Sequence, residues 1–371
     1  MSFREIFCQN NAKELLQKAF NCRRVAHAYI FAGPEGVGKF RTACEWARLL
    51  LCHDPVIEND FAESCGRCRS CTLFEAGGHP EFNHIYKELR EFTEDGKGKG
   101  PPVDLPIDVI REFLIDKVSM RPNVSQRKVF IVDEAERLNI SSQNSLLKVL
   151  EEPPSYCCIV LICSRLDKLL PTTKSRSQII RFGPVTEDKI VEHLRQIGLD
   201  KKRAQYFGRL AQGSLGTACQ WAKLESADAK LFQTKNELVR SLADYEYTEA
   251  LDLADELLSK GKQIAAVWVD LDKATSNTDI NRRALKTLIQ IVISVFQDVV
   301  ELNLRPAKEF VNFDQKEQIE KLALRFNPEQ SAGKIAYCYQ MMHWIESSVN
   351  ERLIFEHLLL SLSDSDTMLV Q

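Results

Sequence analysis

His27-Ala-Tyr-Ile-Phe-Ala-Gly-Pro-Glu-Gly-Val-Gly-Lys-Phe40 is an apolar run that passes into a glycine-rich loop, with a helical pattern over Arg41–Leu51 behind it. That order, buried strand, Gly-rich loop, helix, is what a phosphate cradle requires. Glycines let backbone N–H groups turn inward, and the helix N-terminus adds partial positive charge. Gly33, Gly36, Gly38 and Lys39 are the candidate nucleotide-binding residues, with Lys39 placed to reach the β- and γ-phosphates. The next position in such a loop carries Ser or Thr, whose hydroxyl ligates Mg²⁺. Here it is Phe40. Thr42 is a poor substitute, because two residues along a helix turn the side chain by roughly 200°. The loop is built to hold a nucleotide phosphate, ATP or ADP, and poorly built to hydrolyse it, since the Mg²⁺ ligation is incomplete.

A second apolar run, Lys128-Val-Phe-Ile-Val-Asp-Glu-Ala-Glu136, ends in acids. In P-loop proteins a strand parallel to the first delivers an aspartate to the metal, so Asp133 takes that role and Glu134 is placed to polarise a water. Ser141-Ser-Gln-Asn-Ser-Leu-Leu-Lys-Val-Leu-Glu-Glu-Pro-Pro154 then reads as a capped helix stopped by a double proline. The strand Cys157–Cys163 follows, then Arg165-Leu-Asp-Lys-Leu-Leu-Pro-Thr-Thr-Lys-Ser-Arg176. Strands alternating with helices predict an α/β domain with a parallel sheet covered on both faces.

With 371 residues, 44% apolar, 27% charged and a net charge of −3, composition is that of an ordinary globular protein of two or three domains. No global field favours nucleic acid, although Arg165, Lys168, Lys174 and Arg181 form a local basic stretch. No unbroken run of 18 apolar residues and no basic-then-apolar start are present, so a cytoplasmic location is expected. A reducing compartment argues against a disulfide framework for the twelve cysteines. Four of them, Cys52, Cys65, Cys68 and Cys71, have the spacing of a closed tetrahedral Zn²⁺ site, with Gly66 at the turn of the first close pair. A [4Fe–4S] cluster also uses closely spaced thiolates, but no redox motif accompanies these. His53, His79 and His84 nearby read as surface polarity, and Cys157, Cys158 and Cys163 as small core hydrophobes.

Beyond Arg181 the pattern is amphipathic helix. Residues 185–220 read as a small helical lid, and from about Ser226 onward apolar stripes recur, as in Tyr247–Leu258 and Ile289–Phe296. Asn303–Asn312 reads as a loop between helices, and Thr93–Pro102 as a surface loop.

Taken in order, His27–Phe31 with Gly38-Lys39, the Cys52–Cys71 insert, Asn144–Pro154 and Leu170–Arg176 resemble the bacterial clamp loader of DNA polymerase III, a family of AAA+ ATPases. The resemblance covers roughly residues 1–220. It implies a AAA+ nucleotide-binding domain over 1–180 with a zinc module at about 52–71, a helical lid over 181–222 and an all-α collar over 226–371 that holds subunits in a ring. Two subunit types look alike, the γ/τ motor and δ′. Motor subunits carry Lys-Thr or Lys-Ser in the loop, and a lid motif resembling Gly-Ser-x-Arg supplies an arginine to the phosphates. This chain has Lys39-Phe40 and Gly213-Ser-Leu-Gly216. Both departures fit the δ′ type, with an active γ/τ motor as the alternative and a P-loop small-molecule kinase with a zinc lid as a third, more distant reading. The δ′ resemblance implies a component of the polymerase holoenzyme with weak or absent ATPase activity of its own. It also implies γ/τ and δ partners, a sliding clamp and primed DNA reached through the complex. Arg176, in the family's Ser-Arg element although Ser177 replaces the usual cysteine, is then an arginine finger presented to the neighbouring subunit's ATP.

Overall fold

The computed structural model describes residues 2–96, 104–273, 275–305, 309–347 and 349–363. Most of the surface loop expected at Thr93–Pro102 lies outside these residues, as does the centre of the loop expected at Asn303–Asn312. Two compact units divide the chain between Val185 and Thr186.

The first unit is built on a five-stranded sheet. Its strands are β1 (Ala28–Ala32), β4 (Phe82–Ile85), β5 (Lys128–Val132), β6 (Cys157–Cys163) and β7 (Gln178–Arg181). They lie in the order β4-β5-β6-β1-β7, and every pairing is parallel. β1, β5 and β6 are buried along their whole length, which is why they read as unbroken apolar runs rather than alternating ones. Alternate residues still serve different layers. Tyr29, Phe31, Val129, Ile131, Cys158 and Val160 enter one core; Ala28, Ile30, Phe130, Val132, Cys157 and Ile159 enter the other. Cys157, Cys158 and Cys163 are therefore core side chains, as their apolar context predicts.

The helix Lys39–Leu51 closes the first layer. Ala43, Trp46, Ala47 and Leu50 lie at helical spacing on its buried face. Trp46 is fully buried and meets Tyr29, Phe20 and Phe3 edge-on, with centroids 5.9, 6.3 and 6.4 Å away. Such aromatic contacts contribute about 0.5–1.5 kcal/mol each beyond area burial. On the opposite face, the segment 107–118 forms a helix interrupted by a π-turn over Arg111–Ile115, burying Val109, Ile110, Leu114 and Val118. Strand register brings Ala32 opposite Cys163 and Val132 opposite Leu161, so the segments after β1, β5 and β6 leave the sheet at one edge. Ligand sites of open parallel sheets form there.

Between Lys39–Leu51 and β4 the chain makes an antiparallel hairpin, β2 (Val56–Glu58) with β3 (Phe61–Glu63), and a short helix, Arg69–Glu75. Gln17 pins the hairpin to the first layer by donating to Ala62 O and accepting from Ala62 N, at 2.8 and 2.7 Å.

The described residues of the second unit contain no strand; nine α-helices run from Glu187–Gln196 to Glu351–Ser363. The 28-residue helix Asn277–Leu304 is long and apolar enough to cross a membrane by length and composition alone. Here it is a core helix, with Ile280, Leu288, Val292, Val295 and Phe296 buried. Buried charges occur in this unit and are paired. Asp298 accepts from Val311 N, Asn312 N and Asn312 Nδ2 at 2.7–2.8 Å. Lys235, fully buried, is held by Asp314, with its Nζ 4.9 Å from the Tyr206 ring and 5.0 Å from that of Phe232. Burial lowers the Lys235 pKa while the Asp314 carboxylate opposes the fall.

Candidate functional site

The loop after β1 has the backbone of a phosphate cradle. Gly36 and Gly38 adopt φ of 71° and 98°, the left-handed region that glycine enters without penalty. Gly38 caps the helix Lys39–Leu51, whose first-turn amides have no intrahelical acceptor and face out of the N-terminus. Gly33 is required for a different reason: a Cβ there would lie 2.3 Å from Phe182 O. Gly33 N donates to Cys163 O at 3.2 Å and Phe182 N to Ala32 O at 2.8 Å, locking the loop between β6 and the end of β7. Lys39 is 6% exposed and folds over the loop, donating to Gly33 O at 2.6 Å and Pro34 O at 2.5 Å. Burial lowers its pKa, and Glu136 and Glu35 oppose that. Thr42 is fully buried and donates to Gly38 O at 2.9 Å. Its hydroxyl is thus spent on the helix backbone and does not replace the one missing at Phe40.

Asp133 and Glu134 follow β5 directly. Glu134 sits in the left-handed region at φ 46° and donates its N–H to Asp133 Oδ1 at 2.9 Å. The Glu134 carboxylate is engaged by Arg137 Nε at 3.0 Å and lies 3.9 Å from Lys87 Nζ. Burial raises its pKa, with Arg137 and Lys87 pulling the other way. Two cations therefore occupy the carboxylate that would polarise a water. Two neighbours escaped the sequence reading. Glu136 accepts from Ser164 N at 3.1 Å, and its other oxygen is buried without a hydrogen-bond partner among the described residues. His84, on β4, is not simple surface polarity: its ring packs 4.7 Å from Phe40 and 4.8 Å from Tyr86, and its Nε2 lies 3.9 Å from Asp133 Oδ2. No spacing rule links positions 40, 84 and 133; the β4–β5 pairing brings His84 near Asp133, and a ring contact from the helix Lys39–Leu51 brings Phe40 to His84.

The four clustered cysteines converge. Their sulfurs all lie within 4.8 Å of one another, with Cys52 Sγ 3.6 Å from Cys65 Sγ and 3.9 Å from Cys68 Sγ. A Zn²⁺ tetrahedron with bonds of about 2.3 Å has sulfur–sulfur edges of about 3.8 Å, so the donor set fits zinc. Backbone amides turn onto the sulfurs: Cys65 N to Cys52 Sγ and Cys68 N to Cys65 Sγ at 3.3 Å, Cys71 N to Cys68 Sγ at 3.4 Å. Burial raises the Cys68 thiol, but the amides of Cys71 and His53 outweigh it and bring it down to about 6, whereas burial pushes the Cys52 and Cys71 thiols up, so of these three Cys68 alone is poised as the thiolate a metal requires. Around this centre His79 departs from the surface role expected of it. It is buried, paired through Nε2 with Ser70 Oγ at 2.8 Å, and accepts from Glu81 N through Nδ1 at 3.2 Å. Ser70 in turn donates to Leu51 O at 2.6 Å, which fastens the module to the end of the P-loop helix.

Arg176 ends the short helix Pro171–Ser175, its side chain 35% exposed. Its guanidinium donates to Thr172 O at 3.1 Å and pairs with Glu151 Oε1 at 2.8 Å. The Leu-Glu-Glu-Pro-Pro and Ser-Arg elements, 25 residues apart in sequence, thus meet at this arginine. In the second unit, Gly213 has φ 90° and Ser214 caps the helix Leu215–Ser226, accepting from Thr217 N at 3.3 Å. Gly216 falls in the first turn of that helix and brings no side chain to it.

Residues 8–186 match the family model described as DNA polymerase III, delta subunit. Among curated relatives, DNA polymerase III subunit tau of Bacillus subtilis is 28% identical over 72% of this chain and 48% of its own length. Subunit delta′ of Pseudomonas aeruginosa is 36% identical over 41% of each chain. Subunit delta′ of Bacillus subtilis is 23% identical over 96% of each. The chain thus spans about half the length of the first two relatives and nearly all of the third. Over residues 8–186, just under half of its length, the chain is thus similar to the clamp-loader subunits of DNA polymerase III.

Proposed function

We propose that the chain works as a δ′-like subunit of a DNA polymerase III clamp loader, helping to load a sliding clamp onto primed DNA. In this reading it assembles with γ/τ- and δ-type subunits in the cytoplasm. Its own P-loop is degenerate, and Arg176 is presented to the ATP of the neighbouring motor subunit. The lid over 181–222 and the collar over 226–371 would be the parts that couple it to the ring, and Cys52, Cys65, Cys68 and Cys71 would hold a structural Zn²⁺. One observation carries the reading: Phe40 stands at the metal-hydroxyl position and packs on His84, while Arg176 keeps a partly exposed guanidinium. Phosphoryl transfer depends on positioned positive charge, so a loop without its metal ligand, with Glu134 engaged by Arg137, is a poor catalyst. A partly exposed arginine can be reached by another site. In that role Arg176 would exchange Glu151 for phosphate oxygens, since a guanidinium pairs with either in the same forked geometry.

The γ/τ motor reading draws on the tau match over 291 residues and on Asp133 and Glu134 standing together after β5. ATP hydrolysis by the isolated chain separates the two. Negligible turnover with Mg²⁺ present is expected, and brisk Mg²⁺-dependent turnover would establish the motor.

A further inference from the structure

A P-loop site surrounds its cation with a loop hydroxyl and an acid from a parallel strand, and Mg²⁺ demands oxygens at about 2.0–2.1 Å in near-octahedral array. The residues at these positions do not fit that ion. The loop position carries Phe40, which is 39% exposed and has no oxygen. The acid, Asp133, faces an imidazole: His84 Nε2 is 3.9 Å from Asp133 Oδ2 and has no hydrogen-bond partner among the described residues. His84 is itself wedged between the rings of Phe40 and Tyr86, at 4.7 and 4.8 Å and tilted by 49° and 36°. A stack of three aromatic side chains thus bridges the two positions from which a cation would be held. Its members come from the first turn of the P-loop helix and from β4 and its end, elements fixed by the sheet and both cores. The phosphate-holding half of the site is unaffected by the stack. Gly36 and Gly38 keep their left-handed turns, the helix N-terminus suits an anion, and among the described residues Lys39 Nζ donates to the carbonyls of Gly33 and Pro34. A lysine bonded to two neutral carbonyls gains by exchanging them for charged phosphate oxygens, because charge-assisted hydrogen bonds are roughly twice as strong.

We propose that this P-loop binds the pyrophosphate group of a nucleotide without a divalent cation, the stack Phe40–His84–Tyr86 standing where the metal would. This rests on the reading of the Gly33–Lys39 loop as a nucleotide site. It assigns His84 and Tyr86 a role that the missing hydroxyl alone does not, namely metal exclusion. Lys39 and the helix N-terminus carry the charge compensation that a cation shares in ordinary P-loops.

The test is a calorimetric titration of the full chain with ADP, once in EDTA and once in excess Mg²⁺. The expected result is binding in both, with dissociation constants within about threefold of each other. Tightening by Mg²⁺ of about tenfold or more, equivalent to about 1.4 kcal/mol, overturns metal exclusion and leaves the nucleotide site standing. Absence of ADP binding in both buffers overturns the nucleotide reading of the loop as well. The double substitution Phe40→Thr with His84→Ala supplies the hydroxyl and clears the imidazole. In it Mg²⁺ is expected to tighten ADP by about tenfold or more, and metal-independent binding by that variant would show that the stack is not what excludes the ion. If the variant misfolds by circular dichroism, the wild-type titrations decide the matter without it.

Discussion

Replacing Gly33 with alanine tests how the P-loop is mounted on the sheet. The added Cβ would stand 2.3 Å from Phe182 O and 2.9 Å from Phe182 Cβ, whereas ordinary contact begins near 3.4 Å. The closest neighbour is backbone, so no side-chain rotation relieves the clash, and β7 must part from β1 by about 1 Å at this end. Two interactions stand in the way of that movement: the Phe182 N to Ala32 O bond of 2.8 Å and the Phe31–Phe182 ring contact with centroids 5.1 Å apart. Overpacking of this kind costs about 1–3 kcal/mol, and a weakened backbone hydrogen bond adds about 0.5–1.5 kcal/mol. A cost of roughly 1.5–4.5 kcal/mol at the β1–β7 seam follows from these two terms. Hydrogen exchange followed by mass spectrometry is the suitable assay, because the chain has two units and a single melting point would mix them. Peptides covering 178–182 are expected to exchange about tenfold faster or more, with peptides from 277–304 unchanged as the internal reference. Gly38→Ala is the contrast: its Cβ meets nothing within 4 Å, leaving only about 1–2 kcal/mol of left-handed strain. Unaltered exchange over 178–182 in Gly33→Ala, or a larger effect there from Gly38→Ala, would refute the reasoning.

Three further outcomes follow from the structure. Cys68→Ser should abolish binding of about one Zn²⁺ per chain, read by metal analysis of the purified protein; undiminished zinc content would remove the four-cysteine site. Lys235→Met should cost about 3–5 kcal/mol in the stability of the second unit, read by hydrogen exchange of its peptides, because among the described residues Asp314 is left buried beside only the more distant Lys202. Adding Asp314→Leu should recover most of that loss, and a double variant no more stable than the single would contradict the ion-pair account. Glu151→Gln should leave unfolding within about 1 kcal/mol of wild type, since both partners of the Arg176 pair are partly exposed; a larger loss would make Arg176 a structural residue instead.

The parts legible in the sequence are those governed by local rules. β1, β5 and β6 announced themselves because buried parallel strands are continuously apolar, and the P-loop because its glycines and lysine are contiguous. The cysteine cluster was readable because three of its four ligands fall within seven residues. What stayed hidden depends on contacts made by the finished fold. His84 is 44 residues from Phe40 and lies in a four-residue strand too short to show a pattern. His79 has the polarity of a surface residue, yet Ser70 and Glu81 N bury it by satisfying both ring nitrogens. Lys235 sits in an amphipathic helix where a lysine ordinarily faces water, and only Asp314, 79 residues on, accounts for its burial. The first unit also extends to Val185, past the end of the last strand, because Phe182 packs on Phe31 and Gln9 holds the Gly183 backbone at 2.9 Å.

The central claim is that this chain contributes an arginine to a site on its neighbour. Its most direct test is single-turnover ATP hydrolysis at the adjoining motor subunit, in a reconstituted complex whose other motor sites are inactivated. Arg176→Ala is expected to slow that turnover by about 10³-fold or more, the range of an arginine finger supplied in trans, while the complex still assembles with the same subunits by size-exclusion chromatography. Turnover at the wild-type rate in an assembled Arg176→Ala complex would contradict the account.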